Sequence, residues 1–318
     1  MEILKEILEA RNAIKGKVDK TPLIYLKDFE LRSYFSLYLK LESLQKTGSF
    51  KIRGVFNKLN HLTKEERNNG VIAFSAGSHA LSLAFASSEL NIPCWIVVPK
   101  GISSDKLDIM KNYGAKVILV DNNDLLRTCM SVQNQKKLIL VHPFDDPWII
   151  AGQGTIGCEI LEDLPNVDMV FVPIGGGGLI SGMAIAIKSR NPKVKIIGVE
   201  PTGAPSMFKS INNNRISYLK TCDTIAECLR APYIGKYTFK YAKKYVDDFV
   251  LVSDKEIVET LRKIWQISKI KVEPSSAVSL AAIIFKKVKI PQGSRIVSIL
   301  TGGNISNERF RKILKNVS

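Results

Sequence analysis

The chain predicts an α/β protein built from open, twisted parallel sheets covered by helices. Three observations carry that expectation. Strand-like and helix-like runs alternate for most of the 318 residues. The strand-like runs are continuously apolar, the mark of strands buried on both faces. Several of them hand over to a helix through a turn of glycine or other small residues. With 45% hydrophobic residues, the chain can bury a large core as one big or two moderate domains.

The elements follow in order. Residues 1–16 carry acids and bases from the first turn, with Ile3, Ile7 and Ala10 on one helical face. They read as an amphipathic helix on a core, not as a signal peptide. Residues 36–41 are strand-like, and residues 50–62 have helical spacing. Residues 71–74 form a short strand that runs into a turn at Gly77 and a helix over 78–90. Residues 94–99 and 116–120 are buried strands, with helices from about Ser104 and Asn123. Residues 138–141 are apolar and precede the Asp-Pro punctuated turn HPFDDP, after which a helix spans 149–164. Strands at 168–174 and 194–200 flank a glycine run and its helix, and strands at 248–252 and 295–301 complete the set.

Residues 65–142 form a compact series of strand–helix units. They read as a small domain inserted into a larger one made of residues 1–64 and 143–318. No solenoid repeat, low-complexity linker or added C-terminal module is visible.

Composition excludes several functions. Met169–Ile187 is uncharged and nearly long enough to cross a bilayer, but Pro173 and Gly175–Gly178 would break a spanning helix. No membrane role is expected. The net charge is +16, yet the lysines are scattered and no basic-aromatic motif appears. A solvated basic surface is expected, not a nucleic-acid face. The five cysteines are odd in number and lack paired metal spacing, which indicates a reducing, cytoplasmic setting. His61, His79 and His142 are far apart in sequence, so nothing supports a zinc site.

Three segments carry chemistry. VPIGGGGLISG places Gly175, Gly176, Gly177 and Gly178 between a strand and a helix. Such a turn points several N–H groups, and the positive end of the helix, at a phosphate. It lacks the spacing of a P-loop or a dinucleotide site. SAGSHA, from Ser75 to Ala80, is a second strand-to-helix junction whose free N–H groups and hydroxyls suit a carboxylate. SILTGGN puts the Thr301 hydroxyl at a strand end, where it could face a flat ring. Taken alone, each has a plainer reading: a tight bend, a helix cap by Ser78, a packed His79, a terminal loop. Together they occupy the carboxyl edge of an open sheet, where such folds bind ligands. KTGSFKIRG adds Lys51 at the opening of a helix. The combination supplies what pyridoxal phosphate needs: a Schiff-base lysine, a phosphate cradle, a carboxylate loop and a partner for the pyridine nitrogen.

KTGSFKIRG, HPFDDP, AGQGTIGCEI, VPIGGGGLISG, VEP and TGGN stand in the order found in one family. From about Thr21 to Asn304 the chain resembles the serine/threonine dehydratases, which include threonine ammonia-lyases and serine racemases. These are fold type II pyridoxal-phosphate enzymes, similar to the tryptophan synthase β-subunit. The resemblance implies a two-domain fold whose small domain closes over substrate. It makes Lys51 the Schiff-base lysine and Phe50 its ring-packing neighbour. Gly175, Gly176, Gly177 and Gly178 become the phosphate loop. Ser75, Ala76, Gly77, Ser78 and His79 become the substrate-carboxylate loop, with Ser78 also beside the cofactor. Thr301 becomes the hydroxyl at the pyridine nitrogen. Glu200 and the Ala204 backbone fall where some members bind a divalent cation. A homo-oligomer is implied by analogy.

The implied activity is α,β-elimination on a β-hydroxy amino acid such as L-threonine or L-serine, giving a 2-keto acid and ammonia. The alternatives are a β-replacement synthase, a dehydratase for an unusual β-hydroxy amino acid, a serine racemase or a non-catalytic cofactor-binding protein. Racemisation is disfavoured because Ala76 stands where racemase-like members have serine. The family pattern is broken at Ser78, usually asparagine, at Leu81, usually glutamine, and at Glu227-Cys228, usually Asp-Gly. These departures imply an altered substrate pocket. Ser206, where cation-binding members have an acid, weakens the metal reading.

Overall fold

The computed structural model describes residues 2–27 and 34–315. Its strands are β1 (Leu23–Tyr25), β2 (Ser36–Lys40), β3 (Val71–Phe74), β4 (Cys94–Pro99), β5 (Lys116–Val120), β6 (Ile139–Leu140), β7 (Met169–Pro173), β8 (Lys195–Pro201), β9 (Asp248–Val252) and β10 (Arg295–Ile299). The helices of the first half are α1 (Glu2–Ala13), α2 (Lys51–Asn60), α3 (Lys64–Asn69), α4 (Ser78–Glu89), α5 (Ser104–Asn112), α6 (Leu125–Lys136) and α7 (Pro147–Asp163). Those of the second half are α8 (Gly178–Arg190), α9 (Ser206–Asn212), α10 (Lys236–Tyr245), α11 (Asp254–Ser268), α12 (Pro274–Ile284) and α13 (Asn307–Lys315).

Two sheets result. The larger runs β1-β2-β10-β7-β8-β9, with only β1 antiparallel to its neighbour. The smaller runs β5-β4-β3-β6 and is wholly parallel. Alternation along β7 shows why its sequence is apolar throughout. Met169 and Phe171 pack with Leu261, Val278 and Leu280 of α11 and α12 on one face. Val170 and Val172 pack with Ile156, Ile180 and Met183 of α7 and α8 on the other. A strand covered on both faces cannot afford a polar position on either.

The sequence-derived strands all form, as does the N-terminal helix, which buries Ile3, Ile7 and Ala10 against Ala151 and Cys158 of α7. β1 was not anticipated, because three residues are too few to show a period. The AGQGTIGCEI stretch is a helix–helix contact surface. A Cβ on Gly152 would lie 2.5 Å from the Gly54 Cα, so glycine there lets α7 cross α2 closely. α2 in turn faces the smaller sheet. Its Ile52, Val55, Phe56 and Leu59 share one core with Val71, Ala73 and Leu83. No described helix is long and apolar enough to cross a membrane.

Candidate active site

The two aspartates of HPFDDP organise the approach to the site, each capping a different helix. The Asp146 carboxylate accepts from the N–H groups of Trp148 and Ile149, which starts α7 at Pro147. The Asp145 carboxylate accepts from Lys236, Tyr237 and Thr238 at the start of α10. Charge at a helix N-terminus is stabilising, so the HPFDDP segment is tied to both helices. That segment presents Pro143 and Phe144 to a cavity of about 690 Å³.

Every residue predicted for the cofactor and substrate lines this cavity: Phe50 and Lys51, the loop Ser75–His79, Gly175–Gly178 and Thr301. They arrive from both sheets. β3 delivers the Ser75–His79 loop, β7 the glycines and β10 the threonine. Lys51 opens α2, and its Nζ donates to the Pro143 carbonyl at 2.7 Å. Burial lowers its amine to about 8, against smaller opposing pulls from Cys228 and Glu273.

The glycine loop fits a phosphate. Gly175, Gly176 and Gly177 donate to no acceptor among the described residues, and the first turn of α8 adds its own free N–H groups. Gly177 has φ +91°, and a Cβ there would meet the Met207 Cε at 2.7 Å and the Thr238 Cβ at 3.0 Å. Gly177→Ala is therefore expected to lower stability by about 1 kcal/mol and to speed cofactor loss. Thermal melts of the apoprotein, with dialysis of the holoenzyme, check both effects.

The Ser75–His79 loop differs in detail from its sequence reading. Gly77, not Ser78, is the residue ahead of α4, and the Ser75 Oγ accepts from the Gly77 N–H at 3.2 Å. The Ser78 Oγ instead accepts from the Asn304 Nδ2 at 3.0 Å, which ties the loop to TGGN. His79 donates from Nε2 to the Val141 carbonyl at 2.8 Å, leaving its buried Nδ1 unpartnered. Burial, then the Lys51 charge, lowers its ring to about 3, so it is neutral near pH 7. Leu81 packs in the apolar core of the smaller sheet and does not reach the cavity. Its departure from the family pattern therefore leaves the pocket wall untouched.

Thr301 offers a neutral hydroxyl 3.2 Å from the Ser276 Oγ. Glu200 and Ala204 lie outside the cavity. The Glu200 oxygens accept from the N–H groups of Met207 and Phe208, at 2.8 and 2.7 Å. Burial raises this carboxyl to about 8, opposed by those N–H groups. A cation at Glu200 would have to displace both donors. No group of three potential metal-ligating side chains occurs among the described residues.

Other cavity residues were not among the sequence-derived sites. Glu273 faces it from the residue before α12, and burial raises its carboxyl to about 7. The Cys228 thiol lies 3.4 Å from Glu273 Oε2. Phe144 lies so close that a Cβ on Gly176 would fall 2.1 Å from its ring. The sequence signal for Glu273 was an acid directly before Pro-Ser-Ser-Ala, a helix start made of small residues.

A buried amine, a strand-to-helix glycine cradle and a strand-end hydroxyl around one cavity define a pyridoxal-phosphate site of fold type II. The chain belongs to the pyridoxal-phosphate dependent enzyme family, whose sequence profile matches residues 14–302. An L-threonine ammonia-lyase of Thermotoga maritima is 42% identical over 316 residues, which cover 99% of this chain and 78% of that one. Processed threonine deaminase isoform 2 of Solanum lycopersicum superposes with a TM-score of 0.93 at 32% identity, covering 99% of this chain and 94% of that one. Maize serine racemase superposes at 0.92 with 35% identity, covering 97% and 95%.

Proposed function

We propose that this enzyme eliminates water from a β-hydroxy amino acid, L-threonine or L-serine, and releases a 2-keto acid and ammonia. One observation carries the reading. The Lys51 amine opens on the same cavity as the glycine cradle and the Ser75–His79 loop. The nearness of this chain to an L-threonine ammonia-lyase supports the substrate class.

Each residue has a part. The N–H groups of Gly175–Gly178 hold the phosphate, and the Ser75–His79 loop holds the substrate carboxylate. Bound pyridoxal phosphate supplies a sink for the electron pair left at the α-carbon. With the cofactor bound, Lys51 Nζ would be the amine placed to take the α-proton. Thr301 would offer the ring nitrogen a neutral hydroxyl, which would not hold it protonated as a carboxylate does. Such a site would store the pair poorly and so favour expulsion of the β-hydroxyl. The released enamine adds water to give the keto acid and ammonia, so atoms balance.

Residues 65–142 act in this reading as a unit that closes over substrate. The smaller sheet comes wholly from that stretch, and its β3 carries the carboxylate loop. The reading also carries a homo-oligomer acting in the cytoplasm. Five free cysteines fit a reducing setting, and exposed Tyr34, Leu44 and Tyr218 offer surface for contact.

The test is a visible spectrum of the holoenzyme, then addition of L-threonine, L-serine and bulkier β-hydroxy amino acids with keto-acid release followed. A cofactor band without keto acid from any of them would defeat the proposal. Cofactor capture by the apoprotein gives a second check. A neutral amine is the nucleophile, so the capture rate should climb with pH through about 8, where Lys51 titrates. At pH 7 the neutral fraction exceeds that of an ordinary lysine by roughly 300-fold. A rate still rising steeply beyond pH 10 would mean that Lys51 is an ordinary amine.

A further inference from the structure

Asn304, at the end of TGGN, lies outside the cavity and holds a residue that lines it. Its Nδ2 donates twice, to the Thr47 carbonyl at 2.9 Å and to the Ser78 Oγ at 3.0 Å. The carbonyl decides which end of the amide stands there. A carbonyl oxygen only accepts, so the nitrogen must be beside it and the amide cannot be turned over. Ser78 therefore meets a donor and accepts from it. Its hydroxyl keeps its own proton for another acceptor, and none occurs among the described residues. Ser78 is 5% exposed and lines the cavity. A buried hydroxyl with an unspent proton in a cavity wall is a donor that a ligand can satisfy.

The surroundings suit an anion. Ser78 opens α4, and the N–H groups of Ser78 and His79 donate to no acceptor among the described residues. A helix start of this kind attracts negative charge. The amide itself is fixed from the other side. The Thr47 hydroxyl pairs with the Ser82 Oγ at 2.9 Å, one turn along α4 from Ser78 and on the same face. The Gly303 N–H donates to the Gly48 carbonyl at 2.9 Å, and the Phe50 N–H to the Thr301 carbonyl at 3.2 Å. Gly48 has φ +67°, and a Cβ there would collide with the Asn304 Oδ1, so glycine makes room for the amide. Asn304 thus joins the turn that leads into Lys51 to the first turn of α4.

We propose that Asn304 is a positioning residue whose amide makes the Ser78 hydroxyl a hydrogen-bond donor to the substrate's carboxylate. This rests on the functional reading above. Asn304 acts through Ser78, and its role is one of polarity as much as of shape. An aspartate of nearly the same size would set an oxygen against the Thr47 carbonyl. It would also accept the Ser78 proton and leave the cavity without that donor. Alanine would free the hydroxyl to rotate and spend its proton elsewhere.

L-Alanine reads this contact without elimination, because it has no β-leaving group. Its dissociation constant comes from the change it causes in the visible spectrum of the holoenzyme. Ser78→Ala, Asn304→Ala and Asn304→Asp should each weaken it by about tenfold or more, the scale of one hydrogen bond to a charged group. In keto-acid assays with L-threonine the same loss should appear mainly in KM, since the contact holds substrate and transition state alike. The double variant Ser78→Ala/Asn304→Ala should match Ser78→Ala within about twofold, because the amide acts through the hydroxyl. Dialysis should show cofactor retention unchanged in all of them. Ser78→Ala loses a single oxygen, so it keeps the test open where an Asn304 variant does not fold. Parental affinity in Ser78→Ala or Asn304→Asp, additive losses in the double variant, or cofactor loss in place of weakened L-alanine overturns the proposal and leaves elimination standing. A parent that neither binds L-alanine nor releases keto acid from any hydroxy amino acid removes the reading beneath it as well.

Discussion

Lys51→Ala keeps the fold and loses keto-acid release by at least about 10³-fold, the scale of a lost general base and covalent anchor combined. The fold survives because Lys51 lies in the cavity wall, where its side-chain nitrogen makes one hydrogen bond, to Pro143. Losing that bond costs about 1 kcal/mol. Activity should collapse because, in the proposed reaction, one nitrogen serves twice, first as the attachment point and then as the base. Lys51→Arg should fail equally, since a guanidinium remains protonated. Small amines added to Lys51→Ala should restore part of the rate. Circular dichroism, the visible band and a keto-acid assay read the three parts of this expectation. Borohydride followed by peptide mapping of the parent locates the bond itself. A tenth of the parent rate in Lys51→Ala, or a label on another lysine, would displace Lys51 from the centre of the chemistry.

Arg53→Met should be the most destabilising single change considered, at about 3–5 kcal/mol. Arg53 is 1% exposed and Glu42 is 0% exposed. The guanidinium donates to both Glu42 oxygens at 2.8 Å and to the Glu159 oxygens at 2.6 and 3.0 Å. Lys40, buried beside them, donates to Glu159 at 2.6 Å and to the Thr21 carbonyl at 2.7 Å. Two cations thus match two carboxylates in a space almost closed to water, with only the Glu159 side chain 10% exposed. Methionine fills the volume of the arginine stem but leaves two carboxylates against one ammonium. Arg53→Lys should cost less, because the charge remains while the fork-shaped pairing is lost. Chemical denaturation of the apoprotein measures both. A loss under 1 kcal/mol for Arg53→Met would mean that water enters and solvates the carboxylates. Arg53 lies two residues beyond Lys51 on α2, so the cluster also anchors the helix that presents the Lys51 amine.

Most of the frame was legible in the sequence because its signals are local. Val170 to Val172 are apolar on both faces, and that alone places β7 at the middle of a covered sheet. The KTGSF turn before Lys51 and the glycines before α8 declare a strand-to-helix ligand edge without reference to distant residues. The departures were legible as departures but not as geometry. Leu81 lies three residues past Ser78, yet its side chain packs in the core of the smaller sheet, deeper along α4 than the cavity reaches.

What stayed hidden was the meeting of segments far apart in the chain. Arg53 joins Glu42 and Glu159 across 106 residues. Asn304 reaches Ser78 across 226 residues. Nothing near Cys228 reveals that Glu273 stands behind it. By itself the sequence determined the sheet-and-helix alternation and singled out a candidate lysine and a candidate phosphate loop, because periodicity and backbone freedom act over a few residues. Only the tertiary structure decided which ionisable groups share a dry wall. Their protonation depends on burial and on neighbours brought close by folding, and one-dimensional spacing encodes neither.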